Sequence, residues 1–585
     1  MSGLFSTFNV ATRGMGVQQV AIEVTSHNIA NANTEGYSRQ KAVIETSRPF
    51  GMPTLNNAAE VGQLGTGALV SSIQRIRDTF LDYQIRSGTS KLGEFQARDR
   101  SLGEVEQIFN EPSDSGLSSL LGKFYASWQS LATAPESSTA RTLVAQQSDS
   151  LAKSLNHNYT ELTMVKQNTQ SEIKTSVYDV NSILDQVDQL NQQIIGVQVS
   201  GNQPNDLMDK RDLLLDNLSS KFSINIEKKN FMGNDVSPIV EAGSAPTNTN
   251  LVQSINNSDV KRFSYINSIM PQAGNPTSGS GVYKYDVTYY KNGDENNPVT
   301  ITVVGDENTF KNLDESRVLW ADKDGNALAS GDVIAPSGLN YTDLKIFRPI
   351  SGEIKGYMSV QQDTDNYMSQ MNQLSKALAF SVNAIHNANI TDAGDVTNGG
   401  IDFFVNSSTP PSSTAEQDIT AGNIAVNGSI LSNAQNINVQ KDKLAGTSSG
   451  SGDGKRALAI AKLKDSLIKI QDIGVNTTRI NFLANNPLSA DTLSLINDKD
   501  GTKFENFFKD IVAKVGIQEQ AAKSIVSSQQ SALGSIEQNK ESVSGVLLDE
   551  EMANLVQFQH AYQANAKIIS TIDELLDVVI NGLKK

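Results

Sequence analysis

Apolar residues near the N-terminus fall into a repeating stripe: Leu4, Phe8, Ala11, Met15, Ile22 and Ile29 follow a 4-3-4 spacing, with Gln18 and Thr25 in the two gaps. A period of 3.5 residues predicts an amphipathic helix that packs along one face. The stripe runs into Asn31-Ala32-Asn33-Thr34-Glu35-Gly36-Tyr37, whose Asn, Thr and Gly residues favour a turn and end the helix. At the other end Leu548, Leu555, Tyr562, Ile569, Leu576 and Leu583 recur every seven residues, with Met552, Ala566 and Ile580 at plus four and Phe558, Ile572 and Val579 at plus three. That stripe is broader than a two-stranded seam needs and predicts packing against several neighbours. Asp549, Glu550 and Glu551 sit in its first turn, where the helix dipole favours negative charge.

Burying each large seam side chain is worth ~1.5–3 kcal/mol, so the main positions of the C-terminal stripe together offer roughly 9–18 kcal/mol. A lone helix collects none of this, and ordering each residue costs ~1–2 kcal/mol before hydrogen bonds offset it. Periodicity alone leaves two readings open: an antiparallel coiled coil that closes a monomer, or stripes partnered by other subunits. The energetics predict terminal helices that fray in an isolated chain and order in an assembly.

Between the ends, helical periodicity runs from about Asp78 to Leu218, broken at Glu111-Pro112, Ala134-Pro135 and Gly201-Asn202-Gln203-Pro204. Ser137 to Val199 fits one very long helix. The texture changes at about Lys221, where short alternating runs such as Phe222–Ile226, Tyr283–Tyr290 and Val299–Val304 predict strands. Helix resumes near Gly352 and runs to about Asn389. Residues 390–455 are Gly-, Ser- and Asn-rich, with short strands expected around Ile419 and Ile430 and a flexible loop at Gly446–Gly454. From Arg456 helical periodicity dominates to the end, apart from 485–501. The fold class expected is mainly α with a β-rich inserted domain, its segments nested: 1–70 with 541–585, a terminal helical domain whose N- and C-terminal helices pair as a coiled coil; 71–224 with 351–540, a helical bundle with small β elements at about 390–455; and 225–350, the β-rich insert.

At 585 residues the chain is too long for one core. Its net charge of −16, from 64 acidic and 48 basic residues, lacks the basic stripe that nucleic acid or an anionic membrane would call for. It has no cysteine, which excludes disulfides, Cys-based zinc sites and thiol catalysis. The first residues, interrupted by Gln18, Gln19 and Glu23, do not read as a cleavable signal peptide, and no stretch has the ~18 apolar residues of a membrane span. These rules place the chain in the cytoplasm unless a dedicated secretion route exists.

Reactive constellations are missing from the sequence. His27, His157, His386 and His560 show no metal spacing, and no phosphate loop, nucleophile elbow or dinucleotide fingerprint occurs. Asp322-Lys323-Asp324-Gly325-Asn326 and Asn497-Asp498-Lys499-Asp500-Gly501 lack the closing Glu of a calcium loop and read as polar turns. No enzyme activity, cofactor, metal or small-molecule substrate is expected.

Ser26-His27-Asn28-Ile29-Ala30-Asn31-Ala32-Asn33-Thr34-Glu35-Gly36-Tyr37-Ser38-Arg39 resembles the signature shared by flagellar rod, hook and hook-associated proteins. Residues 541–555, Phe558–Asn565 and Ile569–Leu575 are similar to the C-terminus of the hook–filament junction branch of that axial superfamily, as is Pro204-Asn205-Asp206-Leu207-Met208-Asp209-Lys210-Arg211-Asp212. The sequence departs from the usual pattern at His27, Glu35 and Leu547. The resemblance covers both ends and much of the helical region, not the β insert. It implies an extracellular structural subunit of a ring between hook and filament, exported by the flagellar type III system without cleavage, with the terminal helices forming an inner tube and the insert outermost. The implied partners are further copies of itself, the hook protein, the second hook-associated protein and an export chaperone on the C-terminal helix. The subunit-interface residues expected are Leu4, Phe8, Ala11, Met15, Ile22, Asn28, Ile29, Asn31, Asn33, Thr34, Gly36 and Tyr37, with Leu548, Met552, Leu555, Phe558, Tyr562, Ile569, Ile572, Leu576 and Leu583. Competing readings are another axial subunit (a second hook-associated protein or a flagellin), a coiled-coil adhesin, or a secreted protein with an activity in residues 225–350.

Overall fold

The computed structural model describes residues 2–47, 65–109, 113, 116–275, 281–306, 308–387, 401–407, 416–441 and 450–582. Leu583, the Glu111-Pro112 break and parts of the 390–455 region lie outside them. Helix α1 (Ser2–Ala30) leads into a two-stranded antiparallel hairpin, β1 (Gln40–Thr46) and β2 (Ala68–Arg75), with a register shift between Val43 and Ile44. Four helices follow: α2 (Thr79–Phe109), α3 (Leu117–Thr133), α4 (Ser138–Val199) and α5 (Asn205–Lys221). The 62 residues of α4 span about 90 Å at 1.5 Å per residue. Its start is capped by Ser137, whose hydroxyl accepts from the Ala140 N–H.

The hairpin β3 (Ile224–Lys228) and β4 (Asn234–Pro238) opens the β-rich region. Strands β5 (Arg262–Pro271), β6 (Tyr283–Tyr290) and β7 (Pro298–Gly305), helix α6 (Asn308–Ser316), and strands β8 (Val318–Ala321) and β9 (Leu339–Asn340) come next. They form a sheet of order β8-β5-β6-β7-β9, antiparallel except for β7 with β9. Helix α7 (Glu353–Asn387) returns to the bundle, followed by β10 (Phe404–Asn406), β11 (Ile424–Val426), α8 (Gly428–Ser432), α9 (Lys455–Lys462) and α10 (Arg479–Asn485). Two long helices end the chain, α11 (Phe504–Ser544) and α12 (Leu548–Asn581).

Packing follows the nesting. One core joins α2, α3, α4, α7, α9 and α11 around Phe124, Trp128, Phe380, Phe404 and Phe508. A second lies where the middle of α4 meets the β region, with Phe222, Phe263, Trp320 and Phe347 in mutual ring contact. A third covers the opposite face of the sheet, where alternation along β6 buries Tyr283, Tyr285, Val287 and Tyr289. Helix α4 serves two of these: Val144, Leu151, Leu155 and Leu162 enter the first core, and Ile173, Val177, Val180 and Leu184 the second. The chain enters and leaves the β region at one place, where the hydroxyls of Ser90, Ser223 and Ser351 bond one another. Gly352, at φ +106°, presses there against the Lys221 carbonyl, where a Cβ would sit 2.4 Å from the oxygen.

Two local expectations are corrected. Ile430 lies in α8 and Ile419 in a turn, not in strands; each is a single buried anchor without the alternation that a ladder requires. Residues 463–503 are mostly irregular, held across the segment by Asn497 and Asn486, which accept from the Leu467 and Lys469 N–H, and locally by Ser489, which accepts from the Ser494 N–H.

Candidate assembly interface

The two terminal helices run antiparallel against each other. Asn28 Nδ2 donates to Glu551 Oε2 at 3.1 Å, and Gly14 comes so close to Asn565 that a Cβ would lie 3.0 Å from its amide. Both contacts fit one register. Ala11 and Ala21 on α1 are buried, as are Glu551 and Ile572 on α12, while Leu555, Phe558, Tyr562, Ile569 and Leu576 are half-buried. The stripes therefore partner each other within the chain, the arrangement expected of the terminal domain, and not only other subunits. The cover is partial. Leu548 and Met552 stay 50% and 53% exposed, Val556, Ile568, Leu575 and Val578 are exposed further along α12, and Phe5, Phe8 and Val10 are exposed on α1. Leu4, Met15, Ile22 and Ile29 are half-buried.

The turn after α1 is where the polar residues of the signature act. The amide of Asn28, fully buried, uses its whole bonding capacity: Oδ1 accepts from the Tyr37 hydroxyl (2.8 Å) and Gln40 N–H (2.9 Å), and Nδ2 donates to the Gln40 carbonyl (2.8 Å) and Glu551. Burial, then the nearby Asp206, Asp209 and Glu551, hold the Tyr37 hydroxyl well above its ordinary value, so it remains a donor. His27 Nδ1 lies 2.9 Å from the same hydroxyl. Asn31 donates to the His27 carbonyl and Thr34 donates to Asn31, stitching the turn, while Asn33 and Thr34 stay exposed. Gly36 sits at φ +77° with Leu213 closing over it.

Around this turn lies a clasp of ion pairs that periodicity did not reveal. Arg39 donates through Nε to Glu551 (2.7 Å) and through Nη1 to Glu550 (2.9 Å), and its N–H to the carbonyl of Ser544, the last residue of α11. Ser38 N–H donates to Asp209, whose other oxygen receives Arg75 at 2.6 Å. Arg77 holds Asp82 with two bonds, Arg86 holds Asp216, and Gln40 reaches Asp206. Burial would raise the Asp212 carboxyl, but Arg77, Arg75 and Arg86 together hold it below its ordinary value. The signal was present in part, since Arg39 belongs to the signature and Asp206, Asp209 and Asp212 to the 204–212 segment. What spacing could not show is that these pieces, over 160 residues apart in sequence, meet. Among the described residues no group of side chains is arranged to hold a metal, and no helix is long and apolar enough to cross a membrane.

Three family models match parts of the chain. Residues 8–37 match one described as flagella basal body rod protein, residues 537–582 the C-terminal region of flagellar basal body rod FlgEFG proteins, and residues 102–276 the helical domain of flagellar hook-associated protein FlgK. The chain is a structural subunit of the bacterial flagellum, an extracellular organelle, in which it assembles beside rod and hook proteins; it is not an enzyme. More particularly, it resembles flagellar hook-associated protein 1 along its whole length. It is 29% identical over 590 residues to that protein of Bacillus subtilis (strain 168), covering 100% of this chain and 99% of the relative. To that of Salmonella typhimurium it is 24% identical over 627 residues, covering 98% and 99%. The solved structure of the flagellar hook junction protein FlgK from Burkholderia pseudomallei matches with a TM-score of 0.48 and 12% identity, over 79% of this chain and 100% of that one.

Proposed function

We propose that the chain forms the junction between hook and filament, exported through the flagellar type III channel and assembled through its terminal helices, with copies of itself, the hook protein and the second hook-associated protein as neighbours. An export chaperone would take the C-terminal helix before secretion. The observation that carries this reading is the apolar surface left on α12 once α1 has docked: Met552, Val556, Ile568, Leu575 and Val578. Scattered exposed apolar side chains are ordinary, but several along a single helix, beside a seam already formed, fit a surface that further helices cover. The interface residues expected from sequence then divide into two sets. Asn28, Tyr37 and Ile572 support the pairing within the chain; Phe8, Asn33, Thr34, Leu548 and Met552 remain open to neighbours.

The test is a full-length Ile568→Glu/Leu575→Glu chain in cells lacking their own. It should fold and be secreted, because the α1-facing side is untouched, yet leave hooks without filaments and flagellin shed into the medium. Normal filaments on those hooks, with the variant chain present, would overturn the reading.

A further inference from the structure

Residues 401–407 and 416–441 lie against the bundle as a strap with little ladder of its own, since β10 and β11 pair over only three residues each. Side chains from the bundle hold its backbone instead. Asn383 of α7 gives its whole amide to the strap: Oδ1 accepts from the Phe403 and Phe404 N–H, and Nδ2 donates to the Phe404 carbonyl and to Glu416, all at 2.8 Å. Arg141 and Asn156 of α4 donate to the Ile437 and Ala421 carbonyls, and Arg456 of α9 donates to those of Gln440 and Lys441. Phe403, Phe404, Ile419, Ile424 and Ile430 anchor the underside and are wholly buried.

The strap also carries two acids that meet one cation. Arg479 of α10 places Nη2 2.6 Å from Asp402 Oδ1 and 2.6 Å from Glu416 Oε2. Glu416 Oε1 accepts from Arg479 Nε and Asn383, but Oε2 is buried and not aligned for a hydrogen bond. Two buried carboxylates against one guanidinium sit most favourably when one of their oxygens carries a proton. Burial, which Arg479 offsets only in part and Asp402 reinforces, brings the Glu416 carboxyl up to about 7. The other charged or titratable groups facing the strap are held differently. His386 of α7 points Nδ1 at the Ile401 carbonyl and accepts the Asn438 N–H at Nε2, so its ring is neutral. Lys376 of α7, close to Asp418, donates to the Val475 carbonyl, and burial brings its ammonium down to about 8. Arg141 and Arg456 hold the carbonyls named above.

We infer that this strap is a proton-set latch: it closes over the bundle while the Asp402–Glu416 pair holds one proton, and lifts locally when that proton leaves. A carboxyl raised in the folded state favours closure fully below its unfolded value and loses that contribution as pH rises through the folded one, so opening grows between pH 4.5 and about 7. Lifting the strap parts Phe403 and Phe404 from Trp128 and Phe124 and bares an aromatic wall of the first core.

The test is amide exchange of the full-length chain at pH 6 and pH 8, read by mass spectrometry and corrected for the intrinsic rate. The rise in opening of strap amides at 416–441 should be about tenfold larger in the parent chain than in Glu416→Gln, while α4 amides at 144–162 stay protected in both. His386 is common to the two chains, so its own protonation cancels in the comparison. Equal responses would overturn the inference. So would strap and α4 amides opening together in the parent chain, which would make the event global. If Glu416→Gln does not fold, Asp402→Asn decides: with that position neutral the response should again flatten, and its persistence counts against the latch. In the parent chain alone the strap must exchange ahead of α4 at pH 8, and equal protection of the two rejects it.

Discussion

Asn28 shows why an amide rather than an acid ends the first helix. Its Nδ2 donates to a carbonyl and a carboxylate; an Asp would set a second negative oxygen against both. Asn28→Asp should weaken the clasp by ~3 kcal/mol or more, seen as faster amide exchange at residues 27–40 and 548–556 while the α2–α4 core keeps its protection. Glu416 poses a different problem. Arg479, wholly buried, lies against both Asp402 and Glu416 at 2.6 Å, one cation for two carboxylates. Burial lifts the Glu416 carboxyl from 4.5 to about 7; Arg479 lowers it only in part, and Asp402 adds to the rise. A group raised in the folded state contributes stability that is full below its unfolded value and is lost as pH climbs through the folded one. Stability from this site should thus fall between about pH 4.5 and 7, by at most ~3 kcal/mol, and Glu416→Gln should flatten the dependence in chemical denaturation at pH 5 and pH 8.

Among elements, legibility tracked length and period. The terminal stripes and the long α4 read directly, because many turns repeat one spacing. The hairpin β1–β2 did not: Gln40–Thr46 mixes charged with apolar residues, and its burial depends on helices from elsewhere in the chain. Nor did the clasp, whose residues carry no period and acquire meaning only where α5, α12 and the hairpin converge. Leu547 precedes α12 without a side-chain cap, so Asp549, Glu550 and Glu551 in the first turn are left to satisfy the helix dipole. The seam between α1 and α12 depends on close approach at Gly14. Gly14→Val should push Asn565 aside and part the two helices, exposing the seam to dye binding and proteolysis, whereas Gly16→Ala, with open space around it, should not.

For the whole molecule, α4 decides how the parts move together. Val144 to Leu162 belong to one core and Ile173 to Leu184 to another, with Thr169 buried between them, its hydroxyl returned to the Val165 carbonyl. Thr169→Pro removes a helical N–H at that point and costs about 3 kcal/mol or more. Each core should survive, and small-angle scattering should report a bent and more variable envelope. Within the described residues, a twist of one core reaches the other through α4, a hydrogen-bonded rod anchored in both. Such a rod hands a torsion from one core to the other instead of absorbing it.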